Sequence, residues 1–280
     1  MDRNARYNEV LDVLDVERIE ENLFLGRNET RAGRLFGGQV LAQAARAAYN
    51  TVNGIHLHSL HGYFLRPGDV SKPVLYEVER IRDGRSFTTR RVVAVQSGQA
   101  IFNLDASFQL EEVGVDHAHS MPNVPLPEEL SDDALLIAEM DDDPLLSPMA
   151  RSVRPIEIRS VFQPGTDAWR EARSFNPTWF RFPHDPDDPV VRRCVLAYAS
   201  DMGLVSTASL PHLADRSELQ LASLDHALWI HRDFALDGWL LFHKRSTTAA
   251  GARGLVHADV FSESGMLIAS LTQEGLMRVT

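Results

Sequence analysis

The fold of this chain is decided by the stretch DPVVRRCVLAYASDMGLVST, residues 188–207. Asp188 is a good helix N-cap, and Pro189 follows at the first helical position, where a missing backbone N–H has no cost. From Val190 to Met202 apolar residues occupy nearly every face, which is the pattern of a helix buried in a core. Gly203 marks the predicted end of the helix, because glycine readily adopts the left-handed conformation found there.

One acidic residue, Asp201, stands near the C-terminal end of this apolar helix. The helix dipole is negative at that end and disfavours a carboxylate. A charge enclosed there is costly unless a partner compensates for it. Two interpretations therefore stay open: the side chain reaches solvent beyond the helix, or it is retained for chemistry. Position alone favours the first, since most acidic side chains in helices are solvated.

Composition indicates a globular chain of ordinary type. Of its 280 residues, 44% are hydrophobic, which is enough for a sizeable core. No apolar run reaches the length of about 18 residues that a membrane-spanning helix needs, so we expect no membrane span. The net charge of −11 arises from one acidic segment, residues 111–150, which holds no Lys or Arg. Nucleic-acid binding is not expected, because it requires a basic patch.

The sequence also bears on the compartment. The chain begins Met-Asp-Arg-Asn with no apolar signal segment behind it, and it does not end in the peroxisomal signal Ser-Lys-Leu. Its single cysteine, Cys194, lies within the apolar helix and excludes a disulfide within the chain. We expect a buried, structural thiol and a cytoplasmic protein.

The same order of elements occurs twice along the chain. An Ala-rich helix follows Gly37-Gly38 and precedes four strand-like runs between residues 55 and 110. The apolar helix of residues 188–207 likewise precedes four runs between residues 218 and 278, the first predicted as one strand over 218–232. Residues 7–20 are predicted as a short amphipathic helix.

Local sequences match between the two halves as well. Ser59-Leu60-His61 corresponds to Ser223-Leu224-Asp225-His226, with the two histidines in register. We therefore predict an α+β fold with an N-terminal repeat at 1–112 and a C-terminal repeat at 150–280, each an antiparallel sheet wrapped around one long helix. Residues 113–149, rich in acids and prolines, are predicted as an exposed linker with a short helix near residues 132–140.

Six motifs now identify a resemblance that covers nearly the whole chain. In order, they are Leu35-Phe36-Gly37-Gly38-Gln39, the run His58–Asp69, Arg82-Asp83-Gly84-Arg85-Ser86-Phe87, Ala199-Ser200-Asp201, Ser223-Leu224-Asp225-His226 and Gln273-Glu274-Gly275. In this order they resemble the type II, TesB-like acyl-CoA thioesterases. The resemblance implies a double hotdog fold, hydrolysis of acyl-CoA to fatty acid and CoA without a cofactor, and assembly into homodimers or homotetramers.

The resemblance also implies three catalytic residues that hold one water molecule: Asp201, Ser223 and Gln273. Bacterial members often carry Thr where this chain has Ser223. The residues themselves give weaker, independent support. Gln273 lies on an apolar strand face and needs partners for its amide, and Ser223 shares a predicted face with Leu219, Leu221 and Trp229.

A mechanism follows from this resemblance as a hypothesis. Asp201 acts as general base on the water, which attacks the thioester carbonyl directly. Backbone N–H groups near Gly37 and Gly38 are candidate donors to the developing oxyanion, and they reach across from the other repeat. Tunnel shape sets acyl chain length, and Phe64, Tyr198 and Trp229 are candidates to line it. Candidates to bind the CoA phosphates are Arg85, Arg90, Arg91, Arg245 and Arg253.

Other chemistries find little support in the sequence. No Gly-x-Ser-x-Gly elbow is present, and on a continuous strand Ser223 and His226 point to opposite faces, which disfavours a Ser–His pair. His56, His58 and His61 lack the Cys or carboxylate that would complete a metal site, although His58 remains a candidate neighbour of the active site. No phosphate-binding loop occurs. The main alternative to a thioesterase is a hotdog protein that binds acyl-CoA without hydrolysing it.

Overall fold

The computed structural model describes residues 2–29, 35–140, 146, 151–212 and 219–280. Part of the predicted linker, 113–149, and the first residue of the predicted strand 218–232 lie outside these ranges. The helices are α1 (Arg3–Leu14), α2 (Gly37–Tyr49), α3 (Asp133–Ala138), α4 (Asp167–Arg170), α5 (Pro189–Ser200) and α6 (Leu204–Ser209). The strands of the N-terminal half are β1 (Glu17–Glu20), β2 (Leu23–Gly26), β3 (His56–Phe64), β4 (Val74–Asp83), β5 (Phe87–Gln96) and β6 (Gln99–Gln109). The strands of the C-terminal half are β7 (Glu157–Ser160), β8 (Phe175–Arg181), β9 (Leu219–Ser223), β10 (Asp225–Ile230), β11 (Trp239–Ala250), β12 (Arg253–Ser262) and β13 (Leu267–Val279).

The two halves of the described chain share one antiparallel sheet. Its order is β1-β2-β4-β5-β6-β3-β10-β13-β12-β11-β8-β7, with β9 also paired to β13. Strands β3 and β10 join the halves at the centre, with Leu60 opposite Leu228 and His61 opposite Ala227. The sheet encloses α2 and α5, which pack against each other, while α6 packs on β11, β12 and β13.

The apolar helix forms as its sequence predicts. The side chain of Asp188 caps α5 by accepting a hydrogen bond from the Val190 N–H at 2.7 Å, and Pro189 is its first residue. Gly203 has a left-handed φ of 78° and separates α5 from the short helix α6. Cys194 is buried, and burial raises the pKa of its thiol to about 12. The core prediction for this segment is confirmed.

Two local predictions are wrong for identifiable reasons. The helix predicted over residues 7–20 ends at Leu14, because residues 17–20 instead pair with β2 as strand β1. The strand predicted over residues 218–232 is broken at Leu224 into β9 and β10. There the register with β13 shifts by one residue, because Ser223 pairs with Gly275 whereas Ala227 pairs with Thr272. Such an extra residue is a β-bulge, and it redirects the side chains that follow.

The described part of the linker is only partly exposed. Val113 and Val115 are fully exposed, as predicted. Farther along, the chain crosses the outer face of the C-terminal half, and the Pro125 carbonyl accepts a hydrogen bond from Trp179 Nε1 at 2.9 Å. Met121, Val124 and Leu130 pack there against a second apolar cluster that includes Trp179. The segment docks because the outer sheet face carries large apolar side chains that need cover.

Candidate active site

Three sequence elements meet around the carboxylate of Asp201, the residue that caps the C-terminus of α5. Gln273 on β13 donates from Nε2 to Oδ1 of Asp201 at 3.0 Å. Ser223, at the end of β9, donates from Oγ to the same oxygen at 3.4 Å. The structure thus brings together the three residues that the sequence nominated for catalysis.

A fourth group reaches Asp201 from the N-terminal half. The backbone N–H of Gly38, in the first turn of α2, donates to the Asp201 carboxylate. The positive end of the α2 dipole therefore offsets the negative end of α5 at this position. The absence of a side chain at Gly37 is also required, since a Cβ there would lie 2.8 Å from Oδ2 of Asp201.

Burial and hydrogen bonding have opposite effects on the pKa of the Asp201 carboxyl group. Burial raises the pKa of its carboxyl group to about 6, and the hydrogen bonds from Gln273, Gly38 and Ser223 oppose that rise. A carboxyl group of this pKa is ionised at neutral pH, yet it accepts a proton more readily than an exposed aspartate. Asp201 is partly buried, and three donors hold its carboxylate inside the site, so the alternative that its side chain reaches solvent beyond the helix is wrong.

A histidine that the sequence did not place in the site lies beside these residues. His226 is buried, and its Nε2 lies 2.9 Å from Oγ of Ser200. The bulge at Leu224 turns both Ser223 and His226 inward, so the strand-parity argument that set them on opposite faces is wrong. The two still form no catalytic pair, because His226 contacts Ser200 while Ser223 contacts Asp201. The signal missed was the shared parity of His226 with the buried Leu228 and Ile230.

The other candidate residues divide between the site and the rest of the molecule. Phe64 is at the site, because a Cβ on Gly37 would lie 2.9 Å from its ring. Tyr198 is buried and donates its hydroxyl to Glu29 at 2.9 Å. Trp229 packs edge-on against His61 on the outer sheet face, so it lines no interior tunnel. His61 and His226 therefore lie on opposite faces of the sheet, and the predicted register of the two is wrong.

Several predicted ligand-binding side chains have structural partners instead. Nε2 of His58 lies 2.8 Å from Oγ of Ser107, and its ring packs edge-on against Phe87. Arg90 is buried and donates to Thr51 and Asp83, so it is not available to bind a phosphate. Within the described ranges, no group of three or more His, Cys, Asp or Glu side chains has the arrangement of a metal site. Nor does any helix of those ranges have the length and apolar character needed to cross a membrane.

A solved structure shows what kind of fold this is. The chain is similar to a conserved protein of hot dog fold from Alicyclobacillus acidocaldarius, with a TM-score of 0.77 and 18% identity over 97% of this chain and 98% of the other. The topology, with two helix-in-sheet halves that share one antiparallel sheet, is that of a double hotdog protein. The predicted fold class is confirmed.

The sequence comparisons define the family. A model described as acyl-CoA thioesterase matches residues 154–276, and one described as acyl-CoA thioesterase N-terminal domain matches residues 27–109. The chain is 40% identical to acyl-coenzyme A thioesterase 8 of Mus musculus over 96% of this chain and 89% of the relative. It is also 40% identical to the acyl-CoA thioesterase II TesB2 of Mycobacterium marinum, whose crystal structure superposes with a TM-score of 0.81 over 97% of this chain and 98% of the other. The chain belongs to the acyl-CoA thioesterase family.

Proposed function

We propose that this protein hydrolyses fatty acyl-CoA to a free fatty acid and CoA, with Asp201 as general base and no acyl-enzyme intermediate. One observation carries the mechanism. The carboxylate of Asp201 is partly buried and receives hydrogen bonds from Gln273, Ser223 and the Gly38 N–H. The similarity of this protein to acyl-CoA thioesterases over nearly the whole chain supports acyl-CoA as the substrate class.

In the proposed reaction, Asp201 removes a proton from a water molecule that Ser223 and Gln273 help to hold. The water oxygen attacks the thioester carbonyl and forms the new C–O bond. The C–S bond then breaks, the carbonyl re-forms, and the proton held by Asp201 neutralises the departing thiolate. A thiolate is a good leaving group, so no additional strong acid is needed. General-base catalysis of this kind typically contributes about 100- to 10,000-fold.

The carbonyl oxygen gains negative charge during the attack and needs hydrogen-bond donors. The sequence suggested the N–H groups near Gly37 and Gly38 as donors to this oxygen. The Gly38 N–H already donates to Asp201, so only Gly37 remains as a candidate. Gly37 is the first residue of α2, and its N–H has no acceptor within the helix. We assign the oxyanion to the Gly37 N–H, with Phe64 beside it as a side chain that limits the acyl group.

We also propose that the protein acts in the cytoplasm as a homodimer or homotetramer. Two exposed aromatic side chains support association: Tyr63 is 59% exposed and Trp229 is 36% exposed on the strands that join the two halves. Arg85 and Arg245 stay candidates to bind the CoA phosphates, as do Arg91 and Arg253, although these two also form ion pairs with Asp105 and Glu274. Light scattering in solution tests the assembly, and a strictly monomeric protein would contradict it.

The function is tested by CoA release from a panel of substrates from acetyl-CoA to stearoyl-CoA. The proposal predicts steady release with no pre-steady-state burst and no acyl group trapped on the protein by rapid denaturation and mass spectrometry. An acylated Ser223 would refute direct attack by water. Binding of acyl-CoA without release of CoA would instead establish the alternative, a non-catalytic acyl-CoA-binding protein.

A further inference from the structure

His226 and Gln273 face each other across two strands beside the proposed base. The pairing of β10 with β13 sets Ala227 opposite Thr272, so the preceding residue, His226, is opposite Gln273. Both side chains are buried, at about 1% exposure each. Directly opposed residues of an antiparallel pair have Cβ atoms about 5 Å apart, so their side chains are within contact distance.

Each of these side chains has one buried polar atom without a hydrogen-bond partner. Among the buried side-chain atoms of the described residues that lack a further partner are Nδ1 of His226 and Oε1 of Gln273. No hydrogen bond of normal length joins these two atoms, but Gln273 is close enough to oppose in part the effect of burial, which lowers the pKa of His226 to about 4. The imidazole is therefore neutral at the pH at which Asp201 is ionised. A buried amide oxygen without a donor is costly, so a hydrogen bond from Nδ1 of His226 to Oε1 of Gln273 would be favourable.

The hydrogen positions follow from the demands of Asp201. Its carboxylate accepts only, so the NH₂ group of Gln273 must face it, as the distance of 3.0 Å from Nε2 to Oδ1 indicates. Oε1 of Gln273 then faces His226 and requires an N–H from Nδ1. A neutral imidazole has one N–H, so Nε2 must accept a hydrogen bond. Oγ of Ser200 lies 2.9 Å from Nε2 and also donates to the Ala197 carbonyl at 2.8 Å, so this tautomer requires the Ser200 hydroxyl proton to turn from Ala197 toward Nε2.

We propose that His226 is a positioning residue for the thioesterase reaction. Held as the Nδ1–H tautomer by Ser200, it fixes the Gln273 amide so that the NH₂ group faces Asp201 and the water. The inference rests on the proposed function and extends it beyond the three residues that contact the base. The bulge at Leu224 is required for this role, since without the extra residue His226 would point to the outer face of the sheet.

Two substitutions at the same position separate the two ring nitrogens. The amide nitrogen of Asn lies near the position of Nδ1, whereas that of Gln lies near Nε2. We predict that His226→Gln lowers kcat by about 10- to 100-fold with KM nearly unchanged, since Gln273 loses its donor in a buried site. His226→Asn should restore most of that activity. His61→Gln, on the exposed outer face, is the matched control and should behave as wild type.

A double-substitution cycle shows whether His226 acts through Gln273. In a Gln273→Ala background, His226→Gln should change kcat by no more than about twofold, because the amide that it positions is gone. Thermal unfolding of each variant confirms that it is folded. Equal activity of the Asn and Gln variants, or additive losses in the double variant, would overturn this inference. Failure of wild type to release CoA would instead reject the proposed function.

Discussion

Replacing Asp201 with Asn should stabilise the folded protein while it removes the proposed base. Burial holds the pKa of Asp201 at about 6, above the ordinary value of 3.8. At about 1.36 kcal/mol per pKa unit, this difference is about 3 kcal/mol. Because the folded-state pKa is the higher one, the group destabilises the native state increasingly as pH rises from about 4 to about 6, and fully above that. Asn carries no charge and avoids this cost.

Denaturant unfolding at pH 7.5 and pH 4 provides the assay. At pH 7.5 the free energy of unfolding of Asp201→Asn should exceed that of wild type by up to about 3 kcal/mol, and at pH 4 the two should nearly agree. Asp237→Asn makes the same charge change at an exposed position and should stay within about 0.5 kcal/mol of wild type at both pH values. A variant less stable than wild type at pH 7.5, or a difference independent of pH, would refute the inferred burial of the charge.

Three further predictions follow from the same contacts. The kcat/KM of wild type should rise with pH through an apparent pKa of about 6. In wild type the hydrogen bond from Gln273 lowers the pKa of Asp201, so Gln273→Leu should raise that pKa and shift the rise in kcat/KM to higher pH. A pH–rate profile that does not shift would contradict this. Gly37→Ala should slow hydrolysis with little loss of stability, since the added Cβ would contact only side chains. Gly38→Ala should lower the stability measured by thermal unfolding by about 1–3 kcal/mol, because its Cβ would lie 2.4 Å from the Tyr198 carbonyl. Equal stabilities of the two variants would contradict this difference. Cys194 should react with a thiol reagent only on unfolding, and rapid labelling of the native protein would disprove its burial.

Much of the fold was predictable because local signals agreed with one another. Asp188, Pro189 and Gly203 bound the apolar helix by elementary capping chemistry, and alternation with turn signals located the long strands. The errors arose where tertiary pairing overrides local pattern. Residues 17–20 continue an apolar helical pattern but pair with β2. The bulge at Leu224 changes the inward positions from odd-numbered residues in β9 to even-numbered residues in β10, and the prediction of one continuous strand overlooked that change.

The site was predictable in its residues but not in its contacts. The resemblance nominated Asp201, Ser223 and Gln273, while their individual sequence contexts supported them only weakly. The sequence did not predict that the Gly38 N–H contacts Asp201 or that His226 lies beside Gln273, because both contacts join elements far apart in the chain. Arg90 was a reasonable surface candidate from sequence, yet its burial follows from hydrogen bonds to Thr51 and Asp83 that no local pattern encodes.

The most direct test of the mechanism compares CoA release by wild type and Asp201→Asn on the best substrate of the panel. Cys194 is buried, so we expect a low background in a thiol assay, and the unfolding measurements above test whether the variant is folded. If Asp201 is the general base, the variant should be at least about a hundredfold slower. If the folded variant hydrolyses acyl-CoA as fast as wild type, the family assignment stands, but the proposed role of Asp201 is wrong.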